Sequence, residues 1–242
     1  MSIYLLTKNA ILALPAGSLL STQDIKVSAH QRTLVQKSVS DLFKSGVLRR
    51  LAKSLYYKPL ITDLGEVPPS STDIIHKLLE LYKDKIAYLT GPNVYTRLGL
   101  TTQWTSEITL ASDRPRREPL KMGGLQVRFV PSRVEVAEAN TYLLQLLDAA
   151  KDIRLISGTT PTQVALQLQR LISKLSPKEK QTLVIYAQAY PASTRALLGM
   201  LLERMGQKRL AKKLKSTLSP LSVYTLVLES SIFPSAADWH FA

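Results

Sequence analysis

The chain has 242 residues, with 32 Lys and Arg against 18 Asp and Glu, a net charge of +14, 45% hydrophobic residues and no cysteine. That balance excludes general disorder, gives length for one large domain or two to three small ones, and rules out disulfides, thiolate metal sites and cysteine nucleophiles. No apolar run approaches the ~20 residues that span a bilayer, and residues 10–14 lack the basic stretch that opens a signal peptide. The expected location is therefore the cytoplasm, with no membrane partner.

The charge is uneven. Residues 1–60 hold nine basic side chains and two acids, residues 61–150 ten and eleven, and residues 151–242 thirteen and five. Two basic ends flank a neutral middle, and such a field draws polyanions, with nucleic acid the expected partner. The pattern predicts three blocks. Residues 1–62 are expected to form a winged helix-turn-helix, 63–150 a small mixed α/β region, and 151–242 a basic helical region, an α+β chain as a whole. Residues 59–69, with Gly65, Pro68 and Pro69, read as a linker; a second break is expected at 151–161, where Gly158, Thr159, Thr160 and Pro161 interrupt helix-like sequence.

Ile3, Leu6, Ala10 and Ile11 recur at helical spacing and predict a helix over residues 2–13, ended by Pro15 and Gly17. Thr22 is expected to cap a brief helix at 23–26, with Asp24 near its positive end. Ser28 then opens a longer helix to Lys44, with Gly46 as its stop. Val35, Val39, Leu42 and Phe43 fall on one face of that helix. Arg32, Thr33, Gln36, Lys37 and Ser40 fall on the opposite face, which contains no acid. Arg, Gln and Thr can read base edges in a major groove, while Lys37 and Ser40 suit phosphates.

Residues 47–51 and 54–57 are two runs of β-formers around a tight turn, which predicts a hairpin wing. Arg49, Arg50, Lys53 and Lys58 would set four cations along it, within reach of the phosphate backbone or an adjacent minor groove. Together with the helix face they form the expected DNA-binding set. Tyr56 and Tyr57 read as packing residues. The bland alternative for any basic helical face is solvation; here the helix order, the acid-free face and the basic hairpin all favour duplex DNA.

In the middle block, Ser71, Thr72 and Asp73 are expected to cap a helix with Ile74, Ile75, Leu78, Leu79 and Tyr82 inside. Strands are expected at 107–110 and 125–130. Arg114, Arg116 and Arg117 lie in a loop between them, where phosphate contact and solvation balanced by Asp113 and Glu118 both stand. In the last block, Ser176, Pro177 and Glu179 make a capping box. Ser193 or Thr194 is expected to cap the next helix, and Gly206 to end it. Between Arg204 and Lys215 lie six cations (Arg204, Lys208, Arg209, Lys212, Lys213, Lys215) and no acid, with Leu210 and Leu214 facing inward. Either that face is solvated or it is a second nucleic-acid surface.

Nothing predicts catalysis, a metal or a cofactor. His30, His76 and His240 lack metal-ligand spacing, Gly123 and Gly124 read as a turn rather than a phosphate loop, and no Gly-x-Ser-x-Gly elbow occurs. Glu135 and Glu138 read as solvated helix charges.

The stretch from Arg32 to Pro59, with Gly46, Leu48-Arg49-Arg50-Leu51-Ala52 and Leu55-Tyr56-Tyr57, resembles the winged-helix domain of AbiEi-type antitoxins of type IV toxin–antitoxin and abortive-infection systems. Leu89-Thr90-Gly91-Pro92, Leu98-Gly99-Leu100-Thr101-Thr102-Gln103 and Ile108-Thr109-Leu110 are similar to that family's central segment, and Ala196 to Glu203 to its C-terminal helices. One departure is Ser54, where relatives commonly place Gly in the wing turn. The resemblance implies a repressor that binds operator inverted repeats and counters a nucleotidyltransferase toxin, directly or through the toxin's RNA substrate. Two other readings stay open: a winged-helix regulator of an unrelated operon, and an RNA-binding protein.

Overall fold

The computed structural model describes residues 2–81, 87–115, 117–122 and 125–242; Tyr82, Arg116, Gly123 and Gly124, named above, lie outside the described residues. In chain order the first elements are α1 (Ile3–Leu12), β1 (Leu19–Ser21), α2 (Arg32–Lys44), β2 (Arg49–Ala52), β3 (Leu55–Tyr57), β4 (Leu60–Thr62), β5 (Gly65–Val67) and α3 (Ser71–Leu81). They are followed by β6 (Ala87–Thr90), α4 (Pro92–Arg97), β7 (Glu107–Ser112), β8 (Leu120–Met122) and β9 (Leu125–Pro131). Five helices complete the chain: α5 (Thr141–Lys151), α6 (Pro161–Ser173), α7 (Pro177–Ala187), α8 (Ala192–Arg204) and α9 (Lys208–Lys215). The fold is α+β. Two compact units form, one from residues 1–84 with 118–127, the other from 85–117 with 128–242. The boundaries at 62 and 150 expected from charge each fall inside a unit, because charge patterning reports the surface while shared apolar cores hold units together.

In the first unit α1, α2 and the antiparallel sheet β1-β3-β2 make a winged helix. Its core is Ile11, Leu20, Val35, Val39, Leu42 and Leu48, with Ile25, Val27 and Tyr56 packed against it. The buried stripe of α1 runs through Thr7 and Ile11, and Leu6, expected inside, is half exposed. Phe43 likewise sits at the edge of the α2 stripe, 41% exposed, its ring edge-on to Tyr56 at 6.1 Å.

The brief helix expected at 23–26 is a turn. The Ser21 amide donates to Asp24 Oδ2 (2.7 Å) and the Gln23 amide to Ser21 Oγ (3.2 Å), and such local side-chain bonds compete with helix formation. Ile25, in a bend, and Val27 just after it then pack against the core. The long helix begins at Arg32 rather than Ser28, after a 3-10 turn over Ala29–Gln31. It ends as expected at Gly46 (φ +79°). There the Gly46 amide donates to the Phe43 carbonyl (3.1 Å) and the Val47 amide to the Leu42 carbonyl (3.0 Å), the paired closure of a left-handed C-terminal cap.

The segment read as a linker is a second hairpin. β4 pairs with β5 through Leu60↔Val67 and Thr62↔Gly65, and Glu66 accepts from Arg49 Nε (3.1 Å) and the Tyr57 hydroxyl (2.9 Å). α3 is capped one residue earlier than expected: it starts at Ser71, and the Asp73 amide donates to Ser70 Oγ (3.1 Å). Ile74 and Leu78 are its buried residues. β8 pairs with the first residues of β9 (Leu120↔Val127, Met122↔Leu125).

In the second unit β7 lies between β6 and the end of β9, with β6 antiparallel to β7 from Ala87↔Ser112 to Thr90↔Thr109. α5 buries Leu143 through Ala150, and α8 buries Ala196 through Leu202. The break expected at 151–161 is a connection within this unit, closed by Thr160 and Gln163 capping α6. α8 starts after Pro191 rather than at Ser193 or Thr194. Among the described residues no helix is long and apolar enough to cross a membrane.

Candidate nucleic-acid interface

α2 turns Val35, Ser38, Val39 and Leu42 inward and leaves Arg32, Thr33, Gln36 and Lys37 exposed, with Ser40 half-buried. None of these five outward side chains has an ion pair or side-chain hydrogen bond among the described residues. The first turn contains no acid, so the positive end of the helix dipole is not neutralised there. Arg32 and Gln36 stand about one turn apart, about 6 Å along the axis, close to two base-pair steps of about 3.4 Å each.

The four wing cations divide. Arg50 is exposed, its Nε 3.4 Å from the Ala52 carbonyl, and Lys53 is exposed at the hairpin tip. Arg49 is held by Glu66 and by the Gly46 carbonyl (2.7 Å). Lys58 Nζ donates to the Leu12 and Leu14 carbonyls (2.6 and 2.7 Å), closing the C-terminal end of α1. Arg49 and Lys58 therefore bind protein groups, and their partners, Glu66 and three backbone carbonyls, carry no signal in residue spacing. The wing turn places Ser54 at φ 64°, a conformation that disfavours side chains with a Cβ. The Ala52↔Leu55 register shift marks a bulge at this turn.

In the second unit the six expected cations also divide. The Arg204 guanidinium donates to the Ile232 carbonyl and lies 4.7 Å from the Phe233 ring centre; Lys215 Nζ sits 5.0 Å over Trp239. Lys208, Arg209, Lys212 and Lys213 are exposed and have no ion pair among the described residues. Leu210, Ala211 and Leu214 anchor α9 beneath them. Gly199 makes this arrangement possible: a Cβ there would lie 2.1 Å from the Trp239 ring.

One polar cluster was not expected. Asp148, 6% exposed, accepts from the hydroxyls of Tyr88 (2.8 Å), Thr90 (2.7 Å) and Tyr190 (3.0 Å). Burial pushes its carboxyl up from the ordinary range despite those bonds, and burial beside it pushes the Tyr88 and Tyr190 hydroxyls up as well. The cluster ties β6, α5 and the turn after α7 together. In the sequence Asp148 is one acid inside an apolar helix. Among the described residues no group of three His, Asp or Glu is placed to hold a metal ion; His76 lines a cavity of about 550 Å³ with Gly17, Ser18, Asp73 and Glu80.

An α+β protein whose first unit contains a winged helix, with an acid-free exposed face on its second helix, is thereby defined. The chain belongs to the DUF6088 family, a family of unknown function, whose model matches residues 7–153. No curated protein matches it. Its fold is similar to the crystal structure of the RV2827C protein from Mycobacterium tuberculosis, with a TM-score of 0.51 at 13% identity over 90% of this chain and 82% of that one.

Proposed function

We propose that this protein is a cytoplasmic repressor that binds duplex DNA sequence-selectively, and that it acts as the antitoxin of a type IV toxin–antitoxin, or abortive-infection, pair rather than as an enzyme. The observation that carries the DNA reading is the unpaired, acid-free face of α2. Arg32 is assigned to a guanine edge and Gln36 to an adenine edge, the pairings their donor and acceptor geometry favours. Thr33, Lys37 and Ser40 flank them, and Arg50 with Lys53 on the wing contacts phosphate. The antitoxin reading is supported by the likeness of residues 32–59 and 89–110 to AbiEi-type antitoxins. It assigns operator inverted repeats as the DNA target and a nucleotidyltransferase toxin, or its RNA substrate, as the second partner, with the free cations of α9 as the contact.

The test measures binding of the full chain to the duplex upstream of its own gene and to a scrambled duplex at fixed salt. Arg32→Ala is expected to weaken the first by about 1–3 kcal/mol and the second far less. Equal losses on both duplexes overturn the base-reading role of Arg32, and no preference for the upstream duplex overturns the repressor reading. Protection of cells from the product of the adjacent gene tests the antitoxin half.

A further inference from the structure

Trp104 is 85% exposed, on a loop that the surrounding structure holds tightly. The Thr96 hydroxyl donates to the Gln103 carbonyl (2.8 Å) and the Thr101 hydroxyl to the Ser157 carbonyl (2.6 Å). The Gln103 amide returns to Thr101 Oγ1 (3.1 Å), and Gln167 Nε2 donates to the Leu98 carbonyl (3.0 Å). After the tryptophan, Asn93 Nδ2 donates to the Glu107 carbonyl (2.6 Å). The Gln103 side chain lies so close over Gly158 that a Cβ on that glycine would come within 2.5 Å of it. Three elements of the second unit thus fix the backbone on both sides of an indole that packs on none of them. A large apolar ring left in water on a pinned loop gains nothing for folding, and holding it there in advance lowers the entropy cost of a contact made later.

The surroundings indicate the partner. Residues 98–106 contain no charged side chain, and the exposed neighbours Thr102, Gln103 and Ser106 offer hydroxyls and an amide. Arg97 is exposed at the end of the helix that feeds the loop, and the acid that follows, Glu107, is paired with Arg128 (3.2 Å). A protein hot spot places its aromatic among other apolar groups that exclude water. Here the residues flanking the ring along the loop carry short hydrogen-bonding groups, the helix before it ends on an exposed cation, and the chain has a net charge of +14. A flat π-system with polar edges on an anionic backbone is complementary to that arrangement. We propose that Trp104 is a stacking platform for an unpaired nucleobase, a single-strand nucleic-acid contact separate from the duplex-reading helix α2. Aromatic stacking serves single strands because every base presents a π-face, whereas the bases of a duplex are stacked on each other.

The chain's two tryptophans make the test direct, since Trp239 is buried at 0% exposure and Trp104 alone meets solvent. Intrinsic fluorescence of the full chain is titrated with an octamer of deoxythymidylate, an octamer of uridylate, and a duplex of equal length. Quenching by one or both octamers at concentrations where the duplex leaves emission unchanged is the expected result; the tighter octamer identifies the single strand as DNA or RNA. With end-labelled octamers read by anisotropy, Trp104→Ala is expected to weaken binding about tenfold, Trp104→Phe to retain most of it, and the unfolding midpoint to stay unchanged. Emission that ignores both octamers overturns the proposal, as does equal octamer binding by Trp104→Ala. Emission that varies only with protein concentration also overturns it, by marking the loop as a self-association surface.

Discussion

α2 and α9 are both amphipathic helices that bury an apolar stripe and turn an acid-free side to solvent, but the outward side chains differ in kind. α2 mixes arginine and lysine with threonine, glutamine and serine, groups that can match the donor and acceptor pattern of base edges. α9 offers Lys208, Arg209, Lys212 and Lys213 alone, which match phosphate or acidic groups and carry no base code. Their settings differ too. α2 is flanked by a wing whose tip adds two exposed cations, while the C-terminal segment after α9 engages Arg204 and Lys215 with Ile232, Phe233 and Trp239. Two basic helices of one chain therefore present surfaces of different chemistry.

The largest expected effect breaks the platform under α9. Gly199→Ala forces a methyl group to within 2.1 Å of the fully buried Trp239 ring at a buried helix position. Overpacking of this kind costs about 3 kcal/mol, read as a lower midpoint of denaturant unfolding for the second unit; an unchanged midpoint shows that Trp239 has room to move. The α2 face lies in the other unit, and its preference for the upstream duplex is expected to persist.

Charge changes sharpen the comparison at intermediate size. Arg50→Glu with Lys53→Glu is expected to flatten the log–log salt dependence of duplex binding by about 1.8, since each phosphate contact contributes about 0.9. Reversal of Arg49, already held by Glu66, is expected to change that slope much less. Replacing Lys208, Arg209, Lys212 and Lys213 by Gln is expected to leave the ratio of upstream to scrambled binding unaltered while protection against a toxin falls. A changed ratio makes α9 a reader of sequence and erases the contrast with α2.

The smallest effect concerns the wing turn. Ser54→Gly relieves the left-handed backbone at φ 64° and is expected to stabilise the protein by up to about 1 kcal/mol, with the salt slope unchanged. A destabilised Gly variant means that Ser54 contributes a contact that outweighs its strain.

Periodicity made the long elements legible. The α2 stripe, the β2–β3 hairpin, the strands β7 and β9 and the capping box at Ser176 all follow from residue spacing or local side-chain chemistry. The outward set Arg32, Thr33, Gln36 and Lys37 was readable for the same reason: a helix face is a property of 3.6-residue spacing, and each buried position in α2 fixes its exposed complement. What misled was short-range ambiguity. Gln23 to Lys26 has helix-like composition, yet Ser21 and Asp24 bond the backbone locally and hold a turn. The proline- and glycine-marked residues 59–69 look like a linker, but Leu60 to Thr62 can pair across Asp63 and Leu64 with Gly65 to Val67.

The sequence by itself determined the charge, its concentration at the two ends, and which faces of α2 and α9 are polar, because these depend on composition and on neighbours within one turn. Tertiary structure alone decided which cations remain available. Arg49 meets Glu66 seventeen residues away, Lys58 reaches carbonyls at the end of α1 forty-six and forty-four residues back, and Lys215 lies over Trp239. It also decided that Trp104 stands exposed while Trp239 is sealed beneath α8 and α9. The same residue type receives opposite environments because burial is set by which elements pack together, and that packing joins segments whose separation along the chain leaves no periodic trace.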